Sequence, residues 1–243
     1  MAQYESFERI YQRACKRKGG AAAVDALLPP VSTSEELAAT ADDRYLSLMT
    51  KRVFQAGFAW RVIEQKWPGF EAAFRGFDPE HCAGLDGAGF EALAADVRIV
   101  RNRQKIGSVP RNARFILDIA ETHGSFAQWI ADWPTDDIVG LWRELSRRGS
   151  RLGGMSACIF LRMAGKDSFQ PTGDVVALLI ANNIVTKAPT SRAELAACQA
   201  AFNDWAEQAS RPLAHVSRIC ALSVGDNWMR ADEPPPPFLL DPE

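Results

Sequence analysis

The stretch RRGSRLGG, Arg147 to Gly154, sets three arginines and three glycines between two segments of helical periodicity. Arginine brings permanent positive charge and a fork of donors that matches phosphate oxygens. Glycine admits left-handed backbone and lets another surface come close. If the second helix begins near Gly154, its free N–H groups and positive end face outward, and a phosphate settles there readily. Arg147, Arg148 and Arg151 would add charge beside that phosphate, while Gly149, Gly153 and Gly154 shape the turn. A plain helix end with solvated arginines accounts for the same letters, because glycine is common at helix C-termini.

A second basic segment, RIVRNRQKIGSVPRNAR, carries six cations in 17 residues and no acid: Arg98, Arg101, Arg103, Lys105, Arg111 and Arg114. The whole chain has net charge −2 and a pI of about 6.0. Positive charge is therefore concentrated rather than evenly mixed, which favours a nucleic-acid backbone over a solvated helix face. A third stretch, Thr172-Gly173-Asp174, heads the apolar run VVALLIANN. An aspartate there either caps free N–H groups or stands available for chemistry. His81, His123 and His215 have no ligand spacing, and the cysteines at 15, 82, 158, 198 and 220 form no CxxC. No metal, no cofactor and no disulfide framework is expected.

Helical spacing runs through the chain, and alternating strand patterns are scarce. Leu46, Met49, Val53, Phe54 and Gly57 mark one face of a long helix opening near Asp42 and Asp43 and stopped by Pro68 after Trp67. Asp78 and Asp86 each open a short helix. Residues 99–122 read as a long helix that Pro110 kinks or splits. Helices follow over 125–130, 136–147, 154–164, 174–181, 191–208 and 213–223, with 20–34 a connecting loop. The expected fold is an all-α bundle of about ten helices. Its divisions are an N-terminal helix and linker (1–34), a helical domain (35–230) and an extended proline-rich tail (231–243). Hydrophobic residues make up 47% of the chain, yet no apolar run approaches the roughly 18 residues of a membrane span. The first 20 residues lack the apolar core of a signal peptide. The expectation is a cytoplasmic monomer that avoids membranes.

Four segments, FQAGFAW (54–60), FRGFDPEH (74–81), IVRNRQKIGSVPRNAR (99–114) and RRGSRLGGMSACIFLRMAG (147–165), occur in the order and at the spacing of one known pattern. Over about residues 42–180 the chain resembles the DNA-3-methyladenine glycosylase I family, the alkylpurine branch of the helix-hairpin-helix DNA glycosylases. The resemblance implies a base pocket between two helical subdomains and a bacterial nucleoid as the place of action. It implies flipping of a damaged base out of duplex DNA and hydrolysis of its N-glycosidic bond. The transition state would be oxocarbenium-like and stabilised by a carboxylate. By motif, Trp60 falls on the family's pocket tryptophan, with Gln55, Phe54 and Arg52 on the same stretch, and Arg147 to Gly154 falls on its DNA-backbone anchor. Asp174 stands near the wider superfamily's catalytic aspartate.

The sequence also departs from that pattern. Arg52 stands where the family has a glutamate, three residues before Gln-Ala-Gly. Asp174 and Leu178 replace a family His-x-x-x-Cys, so no zinc is implied. Three readings result. One is a glycosylase acting on alkylated purines, and another is a DNA- or lesion-binding protein that keeps the fold without the chemistry. The third is a helical interaction protein with no nucleic-acid role.

Overall fold

The computed structural model describes residues 4–225, so the proline-rich tail expected at 231–243 lies outside the described residues. All regular structure among those residues is helical, as the periodicity requires. In chain order the helices are α1 (Phe7–Lys18), α2 (Ala21–Asp25), α3 (Ser34–Ala39), α4 (Asp42–Gln55), α5 (Trp60–Ala73), α6 (Pro79–Ala83), α7 (Gly87–Ala95), α8 (Arg103–Ile106), α9 (Ser108–His123), α10 (Phe126–Asp132), α11 (Ile138–Arg148), α12 (Met155–Met163), α13 (Gly173–Ala181), α14 (Arg192–Ala209) and α15 (Leu213–Leu222). None of them is long and apolar enough to cross a membrane.

Several expected boundaries move, each for a local reason. The helix opening at Asp42 stops at Gln55, because Gly57 takes a left-handed φ of 72° that no α-helix accommodates. Pro68 then sits inside α5 rather than ending it. Pro68 is exposed, as is Glu64 four residues before it, whose carbonyl loses its helical N–H partner. Residues 99–102 are not helical, and the break falls at Gly107, not at Pro110. Pro110 occupies the first turn of α9, where its missing N–H costs nothing. The segment 20–34, read as a loop, contains α2.

The chain forms two compact units, one of residues up to 31 with 134–139 and 167 onward, the other of 32–133 with 140–166. In the first unit, α15 is buried along most of its surface, in keeping with its mostly apolar sequence. Its N-terminus is held by Asp167, whose carboxylate accepts the Leu213 N–H at 3.0 Å and the Ala214 N–H at 2.8 Å. Phe169 stacks on Phe202 at 4.3 Å, and the buried Trp205 indole donates to the Glu5 carbonyl at 3.0 Å. A capping box of Ser191 and Glu194 opens α14.

In the second unit, α4 runs through the middle of the packing, burying Tyr45, Leu46, Met49, Val53 and Phe54. Asp42 at its start does more than begin a helix. Its two oxygens accept the Phe126 and Ala127 N–H groups, both at 2.9 Å, and so cap α10. Trp67, Phe70, Phe74 and Phe77 form a run of nearly parallel rings 5.1 to 6.4 Å apart on α5 and the turn after it. The capping aspartates foreseen at the short helices are present: Asp78 accepts from His81 and Asp86 from Gly89. These contacts fix α4 and its C-terminal turn, which carry the candidate pocket residues.

Candidate functional site

The C-terminal turn of α4 holds an unusual concentration of buried polarity. Arg52 is 8% exposed, Gln55 3% and Lys105 7%. Lys105 reaches in from α8 and donates its ammonium to the Phe54 carbonyl at 3.1 Å and the Ala56 carbonyl at 2.5 Å. It thereby caps a helix C-terminus, where a cation is favoured. Burial lowers the Lys105 pKa, with Arg151 and Arg52 adding to the effect. Arg52 is different. Its Nε is buried without an acceptor, and no carboxylate among the described residues pairs with its guanidinium. Burial lowers its pKa too, although arginine stays charged.

Cys158 acts electrostatically on Arg52 but is not an anion. Burial pushes the Cys158 thiol up to about 12, with Arg162 and Arg52 drawing it partly back, so it is neutral at pH 7. Gln55 donates its amide nitrogen to Glu64 at 3.3 Å, which leaves Gln55 Oε1 buried and without a donor. The other Glu64 oxygen takes Lys51 at 2.8 Å. Phe54 lies in the core, fully buried and edge-on to Phe70 at 4.7 Å. Beyond the turn at 56–59, Phe58 is 41% exposed beneath the Lys105 ammonium, and Trp60 opens α5 half-buried.

The RRGSRLGG stretch is a turn between α11 and α12 in the second unit. Gly149 is obligatory for space, since a Cβ there would lie 2.6 Å from the Leu145 carbonyl and 2.6 Å from Leu152. Gly154 is obligatory for conformation, with φ 57° and ψ −133°. Gly153 and Gly154 are exposed, and Gly154 precedes the free N-terminus of α12 with no side-chain cap. The turn is pinned from α9. Asn112, fully buried, accepts the Ser150 N–H at 2.6 Å and donates to the Ser150 carbonyl at 3.2 Å. Arg111 donates to Ser150 Oγ at 3.0 Å, and Arg151 donates to Gln104.

The basic segments prove less free than their letters suggest. Asp96 pairs with Arg98 at 2.7 Å, Glu91 with Arg103, and Glu144 with Arg147 at 2.5 Å. Arg148 lies over the Phe115 ring at 4.9 Å. Lys105 is interior, contrary to its reading as one of a row of phosphate-seeking cations. Arg101, Arg111, Arg114 and Arg151 are exposed and have no carboxylate partner among the described residues.

Asp174 belongs to the first unit. Thr172, not Asp174, is the N-cap of α13, accepting from Val175 at 3.5 Å. Asp174 sits in the first turn of that helix, near Lys18 and Arg218; burial lowers the pKa of both, and the Asp174 carboxylate offsets part of that lowering. Its carboxylate also lies against the backbone at Gly225. Sequence reading missed Asn112 altogether. The signal was available: Asn112 stands on the stripe Val109, Asn112, Ala113, Ile116, where a polar residue is out of place unless it bonds.

The chain is similar to a known family and to individual proteins. The methyladenine glycosylase family matches residues 37–151, which spans α4, the turn to Trp60, α9 and most of the hairpin, and stops short of Asp174. DNA-3-methyladenine glycosylase 1 of Escherichia coli (strain K12) is 32% identical over 130 residues, covering 46% of this chain and 70% of that protein. DNA-3-methyladenine glycosylase of Haemophilus influenzae is 26% identical over 76 residues, covering 31% of this chain and 41% of that protein. The 3-methyladenine DNA glycosylase I structure from Staphylococcus aureus is 24% identical, covers 51% of this chain and 77% of that one, and superposes with a TM-score of 0.47.

Proposed function

We propose that this chain, which belongs to the methyladenine glycosylase family, is a DNA glycosylase of base excision repair. It takes a damaged purine out of duplex DNA and hydrolyses the bond between base and sugar, 3-methyladenine being the base its relatives are named for. One observation carries the reading. The α11–α12 turn presents a glycine-lined, uncapped helix N-terminus that is held rigid by the buried Asn112. An anion meets free N–H groups and a positive helix end there, with Arg111 and Arg151 beside it. Backbone N–H groups and arginines grip phosphate without reading sequence.

In this reading Gly149, Gly153, Gly154, Arg147, Arg148 and Arg151 hold the DNA backbone. Trp60 supplies the face on which the extruded base stacks, which offsets part of the cost of unstacking it. Gln55 and Arg52 present polar groups, and Phe54 supports the turn from the core. Asp174 is assigned the carboxylate that stabilises the oxocarbenium-like sugar as the base departs. A second reading, lesion binding without hydrolysis, is favoured by the setting of Asp174, whose neighbours Lys18 and Arg218 give it a structural occupation.

The test is chromatographic detection of free bases from methylated duplex DNA and from duplexes containing hypoxanthine or O6-methylguanine, with Asp174→Asn run alongside. Release by the wild type, and slow release with unchanged DNA affinity by Asp174→Asn, supports the glycosylase and its carboxylate. Salt-sensitive DNA binding with no base released favours the second reading.

A further inference from the structure

Resting on the base-release reading, we propose that Arg52 sets the substrate class: the site takes a neutral purine presenting acceptors at O6 and N7, and turns away an N-alkylpurinium cation. Arg52 and Gln55 are three residues apart and therefore share a face of α4. Both are more than nine-tenths buried, and each keeps an atom without a partner, a donor at Arg52 Nε and an acceptor at Gln55 Oε1. Glu64 fixes the Gln55 amide by accepting from its nitrogen. The nearby carboxylate is thus already engaged, by Gln55 and by Lys51. Lys105 adds a second buried cation, already satisfied by two carbonyls.

A buried guanidinium that meets no anion is costly to keep, and it does not escape by losing its proton. Its complement is an acceptor pair. Arginine reads the O6 and N7 atoms of a purine with two parallel hydrogen bonds. Gln55 Oε1 then accepts an N–H from the same base, N1–H in hypoxanthine or the 2-amino group in O6-methylguanine. A purinium cation meets like charge at the same place.

The charge also suits the bond that breaks. When the N9–C1′ bond of a neutral purine opens, its electron pair stays on the base, which leaves as an anion. A guanidinium at O6 and N7 stabilises that developing charge. Water adds to C1′ and loses its proton to solvent, and the purine anion takes a proton from solvent. An N-alkylpurinium leaves as a neutral base and gains nothing from a cation beside it.

The experiment compares wild type, Arg52→Met and Arg52→Glu on duplexes containing hypoxanthine or O6-methylguanine and on duplex bearing 3-methyladenine. Binding of free hypoxanthine and of the permanent cation 3,9-dimethyladeninium is followed by tryptophan fluorescence, independently of catalysis. The wild type is expected to prefer the neutral base by roughly tenfold or more in release and binding. Arg52→Met should lose that preference, and Arg52→Glu should invert it. Faster wild-type release of 3-methyladenine overturns the assignment while leaving the glycosylase intact. The same holds for an unchanged preference in folded Arg52→Met. If no base is released but the binding preference and its inversion hold, the glycosylase fails and the role of Arg52 stands. Absence of both release and probe binding overturns the role of Arg52.

Discussion

Arg52 and Trp60 lie eight residues apart and carry opposite liabilities. Arg52 is a buried charge that no anion answers, and Trp60 is a large ring left half in solvent. Neither arrangement serves stability. Replacing an unpartnered buried charge by an apolar chain of similar length removes a desolvation cost, so Arg52→Met should stabilise the protein by about 1–3 kcal/mol. Urea denaturation measures this directly, and a destabilised variant would show that Arg52 has a structural partner. Trp60→Ala should slow base release about ten- to hundredfold, the scale of one base–aromatic stack. Its affinity for undamaged duplex should hardly change. Normal release by that variant removes Trp60 from the pocket. The sequence marked both residues, because a family motif fixed their positions. It could not mark the lack of an anion at Arg52, where the Nε has no acceptor and the nearby Cys158 stays a thiol.

The hairpin is the element that converts these residues into a DNA-binding protein, and its parts separate by mutation. Gly154→Ala tests backbone strain alone, because a Cβ there meets nothing within 4 Å while φ is positive. Gly154→Asp adds a negative charge at the helix N-terminus where phosphate is proposed to sit. Duplex affinity should fall clearly further for aspartate than for alanine, by roughly another tenfold. Equal losses would leave strain as the whole effect. Asn112→Ala deletes two hydrogen bonds to Ser150 from a fully buried site, so it should cost about 1–3 kcal/mol in stability. It should also weaken duplex binding, because the turn loses its clamp. Calorimetry and a fluorescence titration read the two effects separately. The hairpin itself was legible, since glycine and arginine at a helix junction have specific physical uses. Its clamp was not, because Asn112 is 38 residues away in sequence. The same distance effect hid Lys105, whose acceptors are some 50 residues upstream.

At the scale of the whole molecule, helix content followed from periodicity and two caps from Asp78 and Asp86, because those signals act within one turn. Breaks such as Gly57 and Gly107 were ambiguous, since a glycine inside an apolar stripe fits either a helix or its end. Charge was the least legible property. Acid-free segments looked like uniform basic surfaces, but Asp96, Glu91 and Glu144 fold back onto three of their arginines. Exposed pairs of this kind are weak, about 0–1 kcal/mol, so they mute the surface without locking it. Within the two basic segments, the four exposed arginines with no carboxylate partner among the described residues, at 101, 111, 114 and 151, remain the permanent contribution. If they neutralise roughly four phosphates, log affinity should fall against log salt with a slope of about −3.6. Arg151→Gln should reduce that slope by about one unit and leave base preference unchanged. A slope near zero would mean that a chain of net charge −2 holds DNA by something other than these arginines. A slope much steeper than −3.6 would mean that Arg98, Arg103 and Arg147 exchange their carboxylates for phosphates on binding. That outcome has its own signature: Glu144→Gln, which frees Arg147 beforehand, should then raise duplex affinity at low salt and lose the advantage as salt rises.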